Sequence, residues 1–215
     1  MFYIKKDNLN LKRDKMLLSV FSIALALYIA FSCTYFAGAA KTVREDVVRL
    51  HILANSDSEF DQMVKLQVRD ALLEKNTILL SDGVNTENAP VYFEMSKDEL
   101  LECAEAVLKE NNCNYDASIT LQKEYFETRI YGDYTFPAGE YTALKVVLGE
   151  GNGKNWWCVM FPPLCIPVAD SVGINQSATD CLTESGEKIV SGGNKFVMKF
   201  KLLEIYEELH QKHSK

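Results

Sequence analysis

From Met16 to Ala40 the chain runs for 25 residues without a charged side chain, and Lys5, Lys6, Lys12, Arg13 and Lys15 stand before that run. A basic flank, then an apolar stretch, then small residues is the order of an export signal. Lysine and arginine are retained on the cytoplasmic side, so everything after Ala40 is expected on the far side of a bacterial cytoplasmic membrane. Ala37-Gly38-Ala39 suits a small-x-small cleavage site, while a run of this length also suffices to span the bilayer uncut. Residues 1–40 are therefore a signal peptide or a membrane anchor, and both remain open. Cys33 follows Ala30-Phe31-Ser32, which lacks the Leu of a lipoprotein signal and places a bulky ring where small residues are wanted. It reads as one more apolar residue of the segment.

The remaining 175 residues fit one domain with a real core. They carry 18 basic and 28 acidic groups, a net charge of −10, which disfavours nucleic acid and anionic membrane surfaces as partners. Five cysteines follow the segment: Cys103, Cys113, Cys158, Cys165 and Cys181. The number is odd, so at least one is free unless it pairs with another chain.

Val47 to Ala54 alternates, with Val48, Leu50, Ile52 and Ala54 on one face, and reads as a strand with one buried face. Ser56…Glu59 and Ser58…Asp61 have capping-box spacing, and Val64, Val68, Ala71 and Leu72 give the following helix its stripe. Asn76 to Pro90 reads mostly as loop. A second helix is expected from Ser96, capped with Glu99, to Asn111-Asn112. Strands are expected at 117–121, 124–131, 142–148 and 156–160, the last two joined by a glycine-rich hairpin at 149–153. Pro162-Pro163 should stop the sheet. Residues 167–193 read as a long exposed loop, and a last helix capped by Asn194 carries Phe196, Phe200, Leu203, Tyr206 and Leu209 at helical spacing. Grouped helices and strands make the class α+β, an antiparallel sheet packed with about three helices.

Chemistry is hard to find. His210 and His213 lie three apart but lack a third ligand nearby, and neither HExxH nor paired CxxC occurs, so no metal site is expected. Asn55, Asp57 and Glu59 alternate like a calcium loop, but Phe60 stands where the turn glycine is required and Leu66 where the bidentate Glu belongs. Helix capping accounts for them more simply. The glycines of 149–153 precede a strand and lack a following Lys-Ser/Thr, which makes a turn and not a phosphate cradle. His51, beside Arg49 on a strand, reads as a surface or packed residue and not a base. With no GxSxG, no Asp-Thr/Ser-Gly and no Cys beside His, neither a catalytic residue nor a cofactor is expected.

Asn155 to Cys165 is the unusual segment. Trp156 and Trp157 are adjacent and point to opposite faces of a strand, so one is core and the other covered or a contact surface. Cys158 and Cys165 flank a proline-forced bend that brings them within disulfide range, the alternative being two buried thiols.

Val48-Arg49-Leu50-His51-Ile52-Leu53-Ala54-Asn55-Ser56-Asp57-Ser58, then Val64-Lys65 and Val68-Arg69-Asp70-Ala71, resembles the opening of the stage II sporulation protein R family. The similarity continues in Phe136-Pro137-Ala138-Gly139-Glu140-Tyr141, in Gly149 through Trp156-Trp157-Cys158-Val159-Met160-Phe161-Pro162-Pro163-Leu164-Cys165, and in Lys199-Phe200-Lys201-Leu202. The resemblance implies a signalling protein and not an enzyme. Such a protein crosses the forespore membrane into the space between the two septal membranes. There it activates a membrane-embedded aspartic protease of the mother cell, which processes a precursor sigma factor. Arg49, Asn55, Asp57, Tyr141, Trp157 and Phe161 are candidate partner contacts because they fall in the recognisable segments; packing or capping roles compete for each. An exported hydrolase or cell-wall-modifying enzyme is the alternative, and a structural envelope protein a third.

Overall fold

A helix satisfies every interior backbone hydrogen bond within itself, so an apolar segment of this length has good reason to be one. The N-terminal segment is a single helix, α1 (Tyr3–Asp46). The structure is a computed structural model that describes residues 3–80, 84–131, 134–163 and 182–192, together with 200, 201, 204, 205 and 209. The chain divides into two units, Met1–Ala39 and Ala40–Lys215. In the first, the hydroxyls of Ser19, Ser22 and Thr34 donate to the carbonyls of Lys15, Leu18 and Ala30 one turn back, which removes their need for water. Large apolar side chains between Met16 and Tyr35 are exposed, and Cys33 is a free thiol among them. With a mean hydropathy of 2.2 in its most apolar stretch, the helix is long and apolar enough to cross a membrane.

The second unit is built around β1 (Val48–Leu53). It lies between β5 (Gly139–Leu148), to which it is parallel, and β6 (Asn155–Phe161), to which it is antiparallel. β2 (Ala117–Phe126) pairs antiparallel with the far side of β5, so the strand order is β2-β5-β1-β6. The class is α+β, with one correction: the sheet is mixed, mostly antiparallel with a single parallel pair. A parallel pair needs a long connection. Between β1 and β5 the chain supplies α2 (Glu59–Leu80), α3 (Ala89–Met95) and α4 (Lys97–Glu110), then β2 and a small hairpin, β3 (Arg129–Tyr131) with β4 (Tyr134–Phe136).

Alternation sorts the sheet residues. Leu50, Ile52, Leu144, Val146, Cys158 and Met160 face the helices and pack with Val64, Val68 and Leu72 of α2, Phe93 of α3, and Leu100, Ala104 and Leu108 of α4. Fully burying each large side chain contributes about 1.5–3 kcal/mol. Phe161 joins this core despite its odd position, because the pairing with β1 shifts by one residue between Val48 and Arg49 and restores its direction. The sheet ends at Phe161, where Pro162-Pro163 were expected to end it, and the Phe161–Pro162 bond is cis.

Several local expectations gave way to packing. α2 continues through Asn76 to Leu80, and the buried Asn76 amide donates to the Met160 carbonyl at 2.9 Å, giving a turn-forming residue a tertiary reason to stay helical. α3 fills part of the expected loop, with Pro90 in its first turn where the missing N–H costs nothing. Because α3 ends at Met95, Ser96 is held between two helices at φ −87° and ψ 2°, and its side chain does not cap α4. Asn112, at φ +54°, follows the helix end as expected. β2 is one strand of 10 residues where two were expected. The end of the expected 167–193 loop is helical: α5 (Glu184–Ser191) is capped by Thr183, whose hydroxyl accepts from the Gly186 N–H. Residues 164–181 lie outside the described residues, as do Asn194, Phe196, Leu203, Tyr206, His210 and His213. Residues 200, 201, 204, 205 and 209 are helical, and Phe200 is buried.

Candidate functional site

Since β1 separates β5 from β6, the Gly149–Lys154 connection has to pass over the end of β1. It is a clasp and not the hairpin its glycines suggested. The N–H groups of Gly153 and Asn152 donate to the carbonyls of Ala54 (2.9 Å) and Asn55 (3.1 Å). The Glu150 N–H donates to Asn55 Oδ1 at 3.0 Å, and the Lys154 N–H to Asp57 Oδ1 at 2.7 Å. Gly149 (φ +55°) and Gly151 (φ +63°) supply left-handed turns, and a side chain at 149 would strike the Asn55 amide. Two of the six candidate contacts, Asn55 and Asp57, therefore hold this clasp; Asp57 remains exposed.

Beneath the clasp lies Asp61, 5 % exposed on the first turn of α2. Its backbone N–H donates to Ser58 Oγ, so Ser58 caps the helix as expected. The carboxylate turns elsewhere, accepting from Asn55 Nδ2 (3.0 Å), Ser56 Oγ (2.5 Å) and Tyr115 Oη (2.6 Å). Burial alone would raise its pKa, but the donors Ser56, Tyr115, Asn55 and Ser58 outweigh burial and hold it below the ordinary value. Burial and the bond to Asp61 push the Tyr115 phenol up. Nearby, the Lys65 ammonium donates to Gln62 Oε1 (2.7 Å) and the Lys154 carbonyl (2.9 Å); burial lowers its pKa although Asp57 opposes this.

Val47 to Ala54 was expected to bury one face, yet β1 is buried on both sides. Arg49, completely buried, points away from the helical core into a cage of rings. Its guanidinium carbon lies 4.4 Å from the centroid of Phe126, 5.1 Å from Tyr141, and 5.6 Å from both Tyr131 and Phe136. Nη2 donates to Tyr131 Oη at 3.0 Å, and that hydroxyl donates onward to the Trp157 carbonyl at 3.3 Å. Nε and Nη1 have no partner among the described residues. Among the described residues no carboxylate faces this cation. Burial lowers the Arg49 pKa and raises that of Tyr131, so the phenol stays neutral and offers no counter-charge.

Two positions along β1, His51 is also buried. Its Nδ1 is 2.9 Å from both carboxylate oxygens of Glu124, its Nε2 is 3.1 Å from Asn155 Oδ1, and its ring stacks on Trp157 with centroids 3.6 Å apart. Lys145 lies 3.7 Å from the same Glu124. Both ring nitrogens are thus engaged, the packed role the sequence favoured over a base. Among the described residues no group of His, Cys, Asp and Glu could hold a metal ion.

Of the remaining candidates, Tyr141 is buried with its hydroxyl donating to the Pro137 carbonyl, and Phe161 is in the helical core. Arg49, Tyr141 and Phe161 therefore present no surface to a partner in this structure. Trp157 is partly exposed, on the face opposite Trp156, whose ring packs under Arg69 at 4.4 Å. Cys158 is disulfide-bonded, while its expected partner Cys165 lies outside the described residues; Cys103 and Cys113 are free thiols. Glu124, Phe126, Tyr131 and Phe136 were not singled out from the sequence, although six aromatics between 125 and 141 were a signal that this stretch covers something.

The sequence model of the family described as stage II sporulation protein R matches residues 44–171. Stage II sporulation protein R of Bacillus subtilis (strain 168) is 39% identical over 123 residues, which is 57% of this chain and 55% of that relative. The chain thus matches little more than half the length of that relative. No solved structure matches it.

Proposed function

The chain belongs to the stage II sporulation protein R family, and we propose that it serves sporulation as an exported signal between two cells. One observation carries this reading: the family match begins at residue 44, directly after the uncharged segment of an apolar N-terminal helix. The part that defines the family is then the part delivered across the membrane. In this reading the chain is secreted from the forespore into the septal intermembrane space, or anchored there by residues 16–40. It binds a membrane-embedded aspartic protease of the mother cell. Binding need only favour the protease's active arrangement by differential affinity. The active protease then processes the precursor sigma factor.

The test is co-expression of the full chain with the protease and the precursor in a heterologous host. Cleavage that depends on this chain is expected. A precursor that stays intact while all three proteins accumulate overturns the proposal.

A further inference from the structure

Among the described residues the buried Arg49 cation has no anion against it, and one of its cage rings also lines a cavity. Phe126, which sits under the guanidinium at 4.4 Å, also lines a cavity of about 280 Å³ together with Tyr125, Glu127, Arg129 and Trp157. Phe126 and Trp157 meet edge-on at 4.9 Å and form its apolar wall. Arg129 stands at the rim, its partner Glu127 only loosely engaged at 3.5 Å with both side chains substantially exposed. Ile130 beside it is 70 % exposed. Arg49 and Arg129 are close enough to repel one another, which adds to the lowering of the Arg49 pKa after burial itself. Two guanidiniums therefore bear on one aromatic-walled cavity, against the single lining carboxylate of Glu127, in a domain whose net charge is −10.

A buried charge left unpaired is costly, and ring faces replace only part of the lost hydration. An anion in the cavity is drawn by Arg129 directly and, at longer range through low-dielectric surroundings, by Arg49. The aromatic wall selects an apolar body next to that anion.

We propose that this cavity is a docking site for an acidic residue flanked by an aromatic one on a partner protein. The carboxylate pairs with Arg129 in the field of Arg49, and the neighbouring ring packs on Trp157 and Phe126. This assignment is independent of the partner's identity, so it survives even if the aromatic–acidic segment belongs to something other than a protease.

The probe is N-acetyl-Phe-Glu-amide set against N-acetyl-Phe-Gln-amide, which differ only in charge. Binding to the full chain in nanodiscs is followed by fluorescence in a Trp156→Phe background, where Trp157 is the sole tryptophan. The Glu peptide is expected to bind at least tenfold more tightly, with a preference that shrinks as salt is raised. Arg129→Gln, a change at an exposed side chain, should weaken the Glu peptide at least fivefold and leave the Gln peptide unchanged. Arg49→Met should act in the same direction wherever its far-ultraviolet spectrum remains native. Equal affinities for the two peptides, or an Arg129→Gln chain that keeps the full preference, overturn the proposal.

Discussion

Asp61 gathers three side-chain donors under the clasp, and replacing it by Ala removes all three acceptor contacts at once. Hydrogen bonds to a charged group contribute about 1.5–3 kcal/mol each, less where the abandoned donor regains water. Asn55 and Ser56 are half-buried beside the solvent and recover hydration, so about 1 kcal/mol each is appropriate, with a little more for Tyr115. Asp61→Ala should therefore destabilise the second unit by about 3 kcal/mol, and Asp61→Asn, which keeps one acceptor oxygen, by about 2 kcal/mol. The pH dependence has a definite sign. The folded pKa is depressed, so the carboxylate's contribution is complete above the ordinary value of 3.8 and is lost as pH falls through the lower folded value. Urea unfolding of the full chain in mild detergent, followed by tryptophan fluorescence, measures both effects. The gap between wild type and Asp61→Asn should be full at pH 7 and close at low pH as the wild-type carboxyl takes up its proton. An Asp61→Ala chain within about 0.5 kcal/mol of wild type at pH 7, the scale of an inconsequential surface change, would refute the reasoning. So would a gap that widens on acidification.

Three further outcomes follow from the same geometry. Gly149→Ala combines a left-handed residue with a clash against the Asn55 amide, and should cost about 2 kcal/mol, whereas Gly38→Ala meets nothing within 4 Å and should cost nothing in thermal melts. Leu100→Ala empties a fully buried site between α4 and the sheet; a loss of about 3 kcal/mol in urea unfolding is expected, and a loss under 1 would mean that the helices do not pack there. Cys158 should be joined to Cys165, so peptide mapping of non-reduced, alkylated protein should recover that pair; a Cys158–Cys181 peptide would show the proline bend to be the wrong guide.

Much of this molecule was written in local pattern. A charge-free segment can only be a helix or a liability, and the alternation of β1 and the stripes of α2 and α4 follow from burial on one side. Ser58 capped its helix because capping needs only three neighbouring residues. Where the sequence misled, the cause was a competing neighbouring element or a contact distant in the chain. Ser96 failed as a cap because α3 reached it first, and Asn76 stayed helical for the sake of the Met160 carbonyl. Glycines at 149–153 looked like a hairpin because nothing nearby reveals that β1 lies between the flanking strands.

By itself, then, the sequence determined an apolar N-terminal helix, an acidic α+β unit after it, and the family to which that unit belongs. It could not determine the strand order β2-β5-β1-β6, nor that both faces of β1 are covered. Strand order depends on which edges meet after long connections close, and burial of Arg49 depends on four rings brought from β2, β3, β4 and β5. An arginine on an alternating strand reads as solvent-facing until a second layer encloses it. Only the tertiary structure supplies that layer, and with it a cation that has no carboxylate among the described residues and shares Phe126 with the neighbouring cavity.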